Sequence, residues 1–271
     1  MRHWMENLGW LQGSVVKSED VAKILELAGK SELTAQDIVL IVASGSCDIA
    51  SLSDPVVEFS IARSINAIDG NYNFNKNPRK IHCQLESASF HNINVELKAH
   101  EKIVINKNFI PQGIEPNLEI KFSQKELNFY VDWLAARYKR PAFPTEFDRR
   151  IDQQWNRKKR KKVVSQVSSK LIGIYAKVLP DKEISEKENY SVNLLALVVP
   201  ELTVEDKSNI LEVINKYKEV MIAAKMDVVI GPTLTEDKIA VATLKQYKRF
   251  NLDDLSYTND DPLPPEITAL H

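Results

Sequence analysis

The chain has 271 residues with 36 Lys and Arg against 37 Asp and Glu, a formal charge of −1 that excludes a global positive field and leaves local clustering to attract any anionic partner. Hydrophobic residues make up 44% and charged residues 27%, which excludes a disordered chain and gives room for one large or two ordinary domains. Two cysteines, Cys47 and Cys83, without CxxC spacing exclude a disulfide framework and point to a reducing, cytoplasmic setting.

Met1 to Gly13 holds Trp4, Trp10 and Leu11 but no sustained apolar stretch, and the longest apolar run, Leu194 to Val199, is too short to cross a bilayer, so neither export nor a membrane partner is expected. Leu11 to Val16 reads as a short strand, and Ser18 stands at an N-cap position before Val21, Ile24, Leu25 and Ala28, with Gly29 as the stop. Asp37 to Ser44 is a continuous β-branched run, as a strand buried on both faces would be. Val56 to Ala62 is a further strand, and Asp69 to Pro78, crowded with Asn, Gly and Pro, is an exposed loop. Arg79 to Leu85, Val95 to Leu97 and Lys102 to Ile105 alternate as half-buried antiparallel strands.

Ser123 and Glu126 have capping-box spacing before a helix through Leu127, Tyr130, Trp133 and Leu134. From Thr145 the apolar residues Phe147, Ile151, Trp155, Val163, Val167 and Leu171 suggest one long amphipathic helix over residues 145–172. Tyr190 to Val199 reads as a strand, Thr203 caps a helix through Ile210, Ile214, Tyr217 and Met221, and Met226 to Ile230 is a strand ended by Gly231-Pro232, giving a βαβ-like unit. The expected organisation is α+β: a mainly-β domain over residues 1–116, a helical and α/β domain over 117–258, and a flexible tail over 259–271.

The long helix carries the strongest functional signal. Between Arg149 and Lys162, eight of fourteen residues are cationic (Arg149, Arg150, Arg157, Lys158, Lys159, Arg160, Lys161 and Lys162) against one acid, Asp152, and the apolar stripe assigns these cations to the outward face. Such clustering is rewarded by phosphate backbones through counterion release, which makes RNA or DNA the expected partner. An acidic protein surface, in a homo- or hetero-oligomer, is attracted by the same field, and a merely solvated helix face is the bland alternative.

Gln12-Gly13-Ser14-Val15-Val16, Val39 to Ser44 (VLIVAS), Val57 to Ala62 (VEFSIA) and Val95 to Asn106 (VELKAHEKIVIN) follow one another in an order that resembles the small SH3-like barrels of the MazF and PemK toxins, over residues 10–110. The resemblance implies an N-terminal SH3-like barrel in a bacterial toxin-like or phage-defence system. Those toxins cut RNA with an arginine just ahead of the second of these strands; here Asp37 and Ile38 stand there, Ser64 stands at the hydroxyl position and Ser14 replaces an aspartate. The barrel is therefore implied without the ribonuclease activity. Trp133 to Pro144 resembles uncharacterised bacterial proteins and implies no mechanism.

Three further constellations bear chemistry. Cys47 beside Asp48, with His82 or His91 as a base, has the parts of a thiolate nucleophile; a small buried cysteine beside a loop-capping aspartate is the plain alternative. Cys47, His82, Cys83 and His91 are zinc-type ligands, but adjacent strand residues point to opposite faces, so His82 and Cys83 would not both ligate; neither metal nor other cofactor is expected. Glu96 and Lys98 have the ExK spacing of metal-dependent nucleases, with Asp69 or Asp48 as upstream acid, or form a cross-strand ion pair. The sequence thus leaves open a non-catalytic nucleic-acid-binding protein, a nuclease or cysteine-dependent hydrolase, and a structural subunit.

Overall fold

A computed structural model describes residues 3–88, 91–136 and 143–250, without the side chains of Arg157, Lys158 and Lys161. The expected tail over 259–271 lies outside the described residues. The chain divides into two compact units, one of residues 3–68 and 78–136, the other of residues 69–77 and 143–250. The first unit thus extends beyond residue 116 through the helix that follows it, and the loop at residues 69–77 belongs to the second.

The first unit comprises α1 (Trp4–Asn7), β1 (Val15–Val16), α2 (Ser18–Leu27), β2 (Ile38–Val42), α3 (Ser46–Ala50), β3 (Val56–Ser64), β4 (Lys80–Ser87), β5 (Ile93–Asn106), β6 (Pro116–Asn117), β7 (Ile120–Phe122) and α4 (Gln124–Ala136). Its strands form one antiparallel sheet in the order β6-β1-β2-β3-β5-β4-β7. The two outermost strands are consecutive in the chain, separated only by Leu118 and Glu119, so three Cα steps, roughly 11 Å at most, link one edge of the sheet to the other. Asn117 Oδ1 tightens that link by accepting from the N–H groups of Glu119 (2.9 Å) and Ile120 (3.1 Å). The sheet therefore curls into a nearly closed barrel-like form, as an SH3-like or OB-like barrel does. The stretches Val95 to Leu97 and Lys102 to Ile105 belong to the single long strand β5, whose pairing with β3 shifts register between Ser60 and Ala62.

Both faces of the sheet are apolar. Ile38, Leu40, Val42, Val57, Phe59, Ile61, Ile103 and Ile105 pack with Met5, Val21, Ile24, Leu25 and Ile49 of the first three helices. On the opposite face Ile41, Ala62, Ile81, Cys83, Leu85, Val95 and Leu97 are buried, and Phe122 stacks on Tyr130 of α4 with ring centroids 5.2 Å apart. This two-sided burial is why β2 reads as an unbroken apolar run. Gly13 enters β1 with φ at +84°, a left-handed backbone that a residue with a side chain would adopt only under strain.

The second unit comprises α5 (Thr145–Gln154), α6 (Arg157–Ser165), β8 (Leu171–Leu179), β9 (Tyr190–Val198), α7 (Val204–Ala223), β10 (Met226–Thr235), α8 (Val241–Leu244) and β11 (Lys248–Arg249). Its sheet runs β10-β9-β8-β11, and β9 and β10 are parallel with α7 as the crossover. A capping box between Thr203 and Asp206 opens α7. Strand β10 does not end at Gly231-Pro232: it continues to Thr235 through a register shift between Ile230 and Thr233. Being an edge strand, it tolerates a proline that donates no ladder hydrogen bond.

The long helix over 145–172 is not formed. Trp155 adopts an extended conformation, Asn156 caps a new helix by accepting from Lys159 N–H at 3.0 Å, and Leu171 opens β8. Asparagine satisfies orphan N–H groups at a helix start better than it sits inside a helix, so the chain breaks there. The core collects Phe147, Ile151, Trp155, Val164 and Val167 with alternate residues of β8 and β9 and with Ile210, Ile214, Tyr217 and Met221 of α7.

The loop at residues 69–77 is tied into this unit. Lys76 Nζ donates to Gly70 O (2.6 Å), to Asn73 Oδ1 (2.8 Å) and to the carbonyl of Ser168, while Arg249 donates to the carbonyls of Phe74 and Ile172, each at 2.6 Å.

Candidate functional site

The eight cations of the basic segment divide into different roles. On α5 the first-turn N–H groups of Thr145 and Glu146 donate to the Glu183 carboxylate at 2.5 and 3.0 Å, which fixes the helix start. Arg149, on the exposed side, reaches Glu146 (2.7 Å) and Glu186 (2.9 Å). Arg150 is buried and clamps the β8–β9 connection, donating to Glu146 Oε1 (2.7 Å), Glu188 O (2.9 Å) and Ser185 O (3.0 Å). The hydrogen bonds from Arg149 and Arg150 pull the Glu146 carboxyl down to about 2.

Arg160 is also buried, only 3% exposed, and its Nη2 lies 2.5 Å from Asp152 Oδ1. The expectation that the stripe turns all these cations outward is therefore corrected at Arg150 and Arg160. Lys159 and Lys162 are exposed and make no ion pair among the described residues. The side chains of Arg157, Lys158 and Lys161 lie outside the described residues.

Helix physics does not account for this run. Arg157 and Lys158 occupy the first turn of α6, where the helix dipole favours anions, and like charges three and four residues apart repel. Six cations and no acid in nine residues thus give α6 no ion pair within the helix to offset that repulsion.

On the first unit, β4 and β5 bring Lys80, His82 and Glu96 together. Glu96 Oε2 accepts from Lys80 Nζ at 3.0 Å and lies 3.1 Å from His82 Nε2. Burial works to raise the Glu96 carboxyl, but the hydrogen bonds from Lys80 and His82 outweigh it and hold the group below its ordinary value. Arg63 stands opposite Glu96 on β3 and pairs with Glu101, and Lys98 stands opposite Lys80. Beyond His82 the row continues as amides, Asn92 to Gln84 at 3.0 Å and Gln84 to Asn94 at 3.1 Å. The partners of Glu96 are thus across the strand, and it is Lys80 rather than Lys98 that takes its charge.

Cys47 is exposed on α3, one residue before Asp48. Cys83 is buried on the face covered by α4, where burial pushes its thiol well up, while the adjacent His82 faces Glu96. Among the described residues Cys47, Asp48, Asp69, His82, Cys83, His91 and Glu96 form no group of three or more able to hold a metal ion.

Sequence reasoning missed several buried polar groups. Lys107 is 1% exposed and caps the end of α3, donating to Asp48 O (2.9 Å), Ile49 O (3.3 Å) and Ser51 O (2.7 Å). Tyr130 donates to Ser60 Oγ at 2.9 Å, and Glu126 accepts from Gln84 N–H at 3.1 Å instead of completing its capping box, although Ser123 Oγ does accept from Glu126 N–H. Only the spacing of Ser123 and Glu126 gave any warning. Comparison with protein-family models, with curated proteins and with solved structures finds no match to this chain.

Proposed function

We propose that the protein binds nucleic acid through the outward lysines of α6, in a non-catalytic or accessory role. The observation that carries this reading is the exposure of Lys159 and Lys162, without ion pairs among the described residues, on a helix whose nine residues include six cations and no acid. The barrel-like sheet is compatible with the SH3-like fold implied by the toxin likeness, and the toxin-like or phage-defence setting rests on that likeness alone. A shift assay with labelled RNA and DNA at two salt concentrations tests the reading. Replacing Lys159 and Lys162 by glutamate should weaken binding and reduce the log–log salt slope by roughly 1.4 to 1.8, since each phosphate contact contributes about 0.7 to 0.9. Unchanged binding in that variant would refute the assignment, and no binding to either nucleic acid would favour an acidic protein partner.

A second reading, a nuclease, is favoured by the Lys80–His82–Glu96 network, which unites a base, an acid and a cation across the paired strands β4 and β5. Incubating labelled RNA and DNA with and without Mg2+ tests it: cleavage that is lost in Glu96→Gln supports the network as the reactive centre. Intact substrate in every lane rules it out.

A further inference from the structure

Helix α7 turns Ile210, Val213, Ile214, Tyr217 and Met221 into the core of the second unit. At about 3.6 residues per turn, its opposite side carries Val204, Ser208, Leu211, Asn215 and Ile222, spaced four, three, four and seven residues apart. Val204 is 85% exposed, and Leu211 and Ile222 are each 51% exposed, so three large apolar side chains share one outward stripe. A shallow depression bordered by Ser208, Leu211, Glu212 and Asn215 lies along it.

The flanks of the stripe differ in sign. Glu205, Glu212 and Glu219 run down one side at intervals of seven residues, and Lys207 and Lys218 lie on the other. Glu205, Glu212, Lys207 and Lys218 make no ion pair among the described residues, and Glu219 meets only Lys216 of its own helix, at 2.9 Å on the exposed surface. Two such helices packed stripe to stripe about a two-fold axis along the helix set the acidic flank of each against the basic flank of the other, on both sides at once. About a two-fold axis across the helix, acid would face acid and base would face base. The pattern is therefore self-complementary in parallel pairing alone.

We propose that α7 is a homodimerisation surface on which two copies of the chain pair in parallel through Val204, Leu211 and Ile222, with Lys207 and Lys218 of each copy facing the glutamates of the other. A partner of one sign would be attracted by one flank and repelled by the second, whereas a second copy satisfies both. Asn215 falls in the middle of the seam, where a pair of asparagines fixes register at a cost in stability. With Ser208 and Asn215 inside the stripe, the dimer is a weak, concentration-dependent one. The pairing uses no residue of α6 and does not depend on nucleic acid.

Sedimentation of the full chain over a rising concentration series tests the pairing: the mass should climb from 30.8 kDa toward twice that value. Lys207→Glu with Lys218→Glu makes both flanks acidic, and Glu205→Lys with Glu212→Lys and Glu219→Lys makes both basic. Each variant should dimerise at least about tenfold more weakly than the wild type, and an equal mixture of the two should associate again. A wild-type mass that stays at 30.8 kDa, variants that dimerise as the wild type does, or a mixture no tighter than its components would overturn the proposal. Orientation is read with a short thiol-to-thiol crosslinker on Val204→Cys in a Cys47→Ser background. Parallel copies bring the two substituted sites together and should crosslink. Antiparallel copies would hold them about 27 Å apart, so a dimer that fails to crosslink would overturn the parallel arrangement.

Discussion

The guanidinium of Arg160 reaches back across the break at Trp155 and Asn156 to Asp152, on the last turn of α5, at 2.5 Å. It belongs to the scaffold, whereas the neighbouring Lys159 belongs to the surface. Arg160→Ala should lower the unfolding free energy by about 1–3 kcal/mol, because it removes a buried side chain and leaves the partly exposed Asp152 carboxylate without its partner. Lys159→Ala should change it by less than about 0.5 kcal/mol. Urea denaturation of the two variants checks the contrast, and equal effects would show that the pair does not hold α6.

Lys107 makes a comparable prediction for the first unit. Its ammonium satisfies three carbonyls at the end of α3, so Lys107→Met, which keeps the stem and removes the donors, should cost about 2–4 kcal/mol. Burial holds this lysine below its ordinary value, with Asp54 and Asp48 opposing. Thermal unfolding followed by tryptophan fluorescence should register the loss at neutral pH.

Gly70 lies so close to Ser168 that an added Cβ would meet its hydroxyl and stand 2.9 Å from its carbonyl carbon, whereas a Cβ at Gly113 would meet nothing within 4 Å. Gly70→Ala should destabilise the second unit by about 1–3 kcal/mol, and Gly113→Ala should be close to neutral. Exchange protection in β8 and β9 is the readout. A neutral Gly70→Ala would mean that the loop at residues 69–77 is not fastened there.

Acid should act on the clamp around Arg150. The Glu146 carboxyl is held at about 2 against an ordinary 4.5, so its contribution is complete above 4.5 and is lost as pH falls from there toward 2. Glu146→Gln should flatten the stability profile over that interval, and a profile as steep as that of the wild type would assign the acid loss to other groups.

Much of the secondary structure was legible because burial and period agree. The run from Asp37 to Ser44 reads as a strand covered on both sides, and Ile38–Val42 within it forms β2, while Thr203 announces α7. The basic segment misled because Phe147, Ile151, Trp155, Val163, Val167 and Leu171 fit one helical stripe, while a single asparagine side chain, Asn156, decides the break. Strand β8 was hidden for the same reason, since Leu171 served as the end of that stripe. The polar networks were the least legible part. That Glu96 meets Lys80 and His82 depends on the β4–β5 register, and that Arg150 and Arg160 turn inward depends on carboxylates and carbonyls which spacing alone does not bring near.

The two residues between β6 and β7 also bear on how the first unit behaves in a crowd of its own copies. An open sheet of seven strands would offer two long rows of unpaired N–H and C=O groups, the usual template for chain-to-chain addition. Here the outermost strands have only two and three residues, one of them is opened by Pro116, and both are tethered at Leu118 and Glu119. Protection against aggregation therefore resides in a seven-residue stretch from Pro116 to Phe122, and a lengthened link there would unmask both margins of the sheet at once.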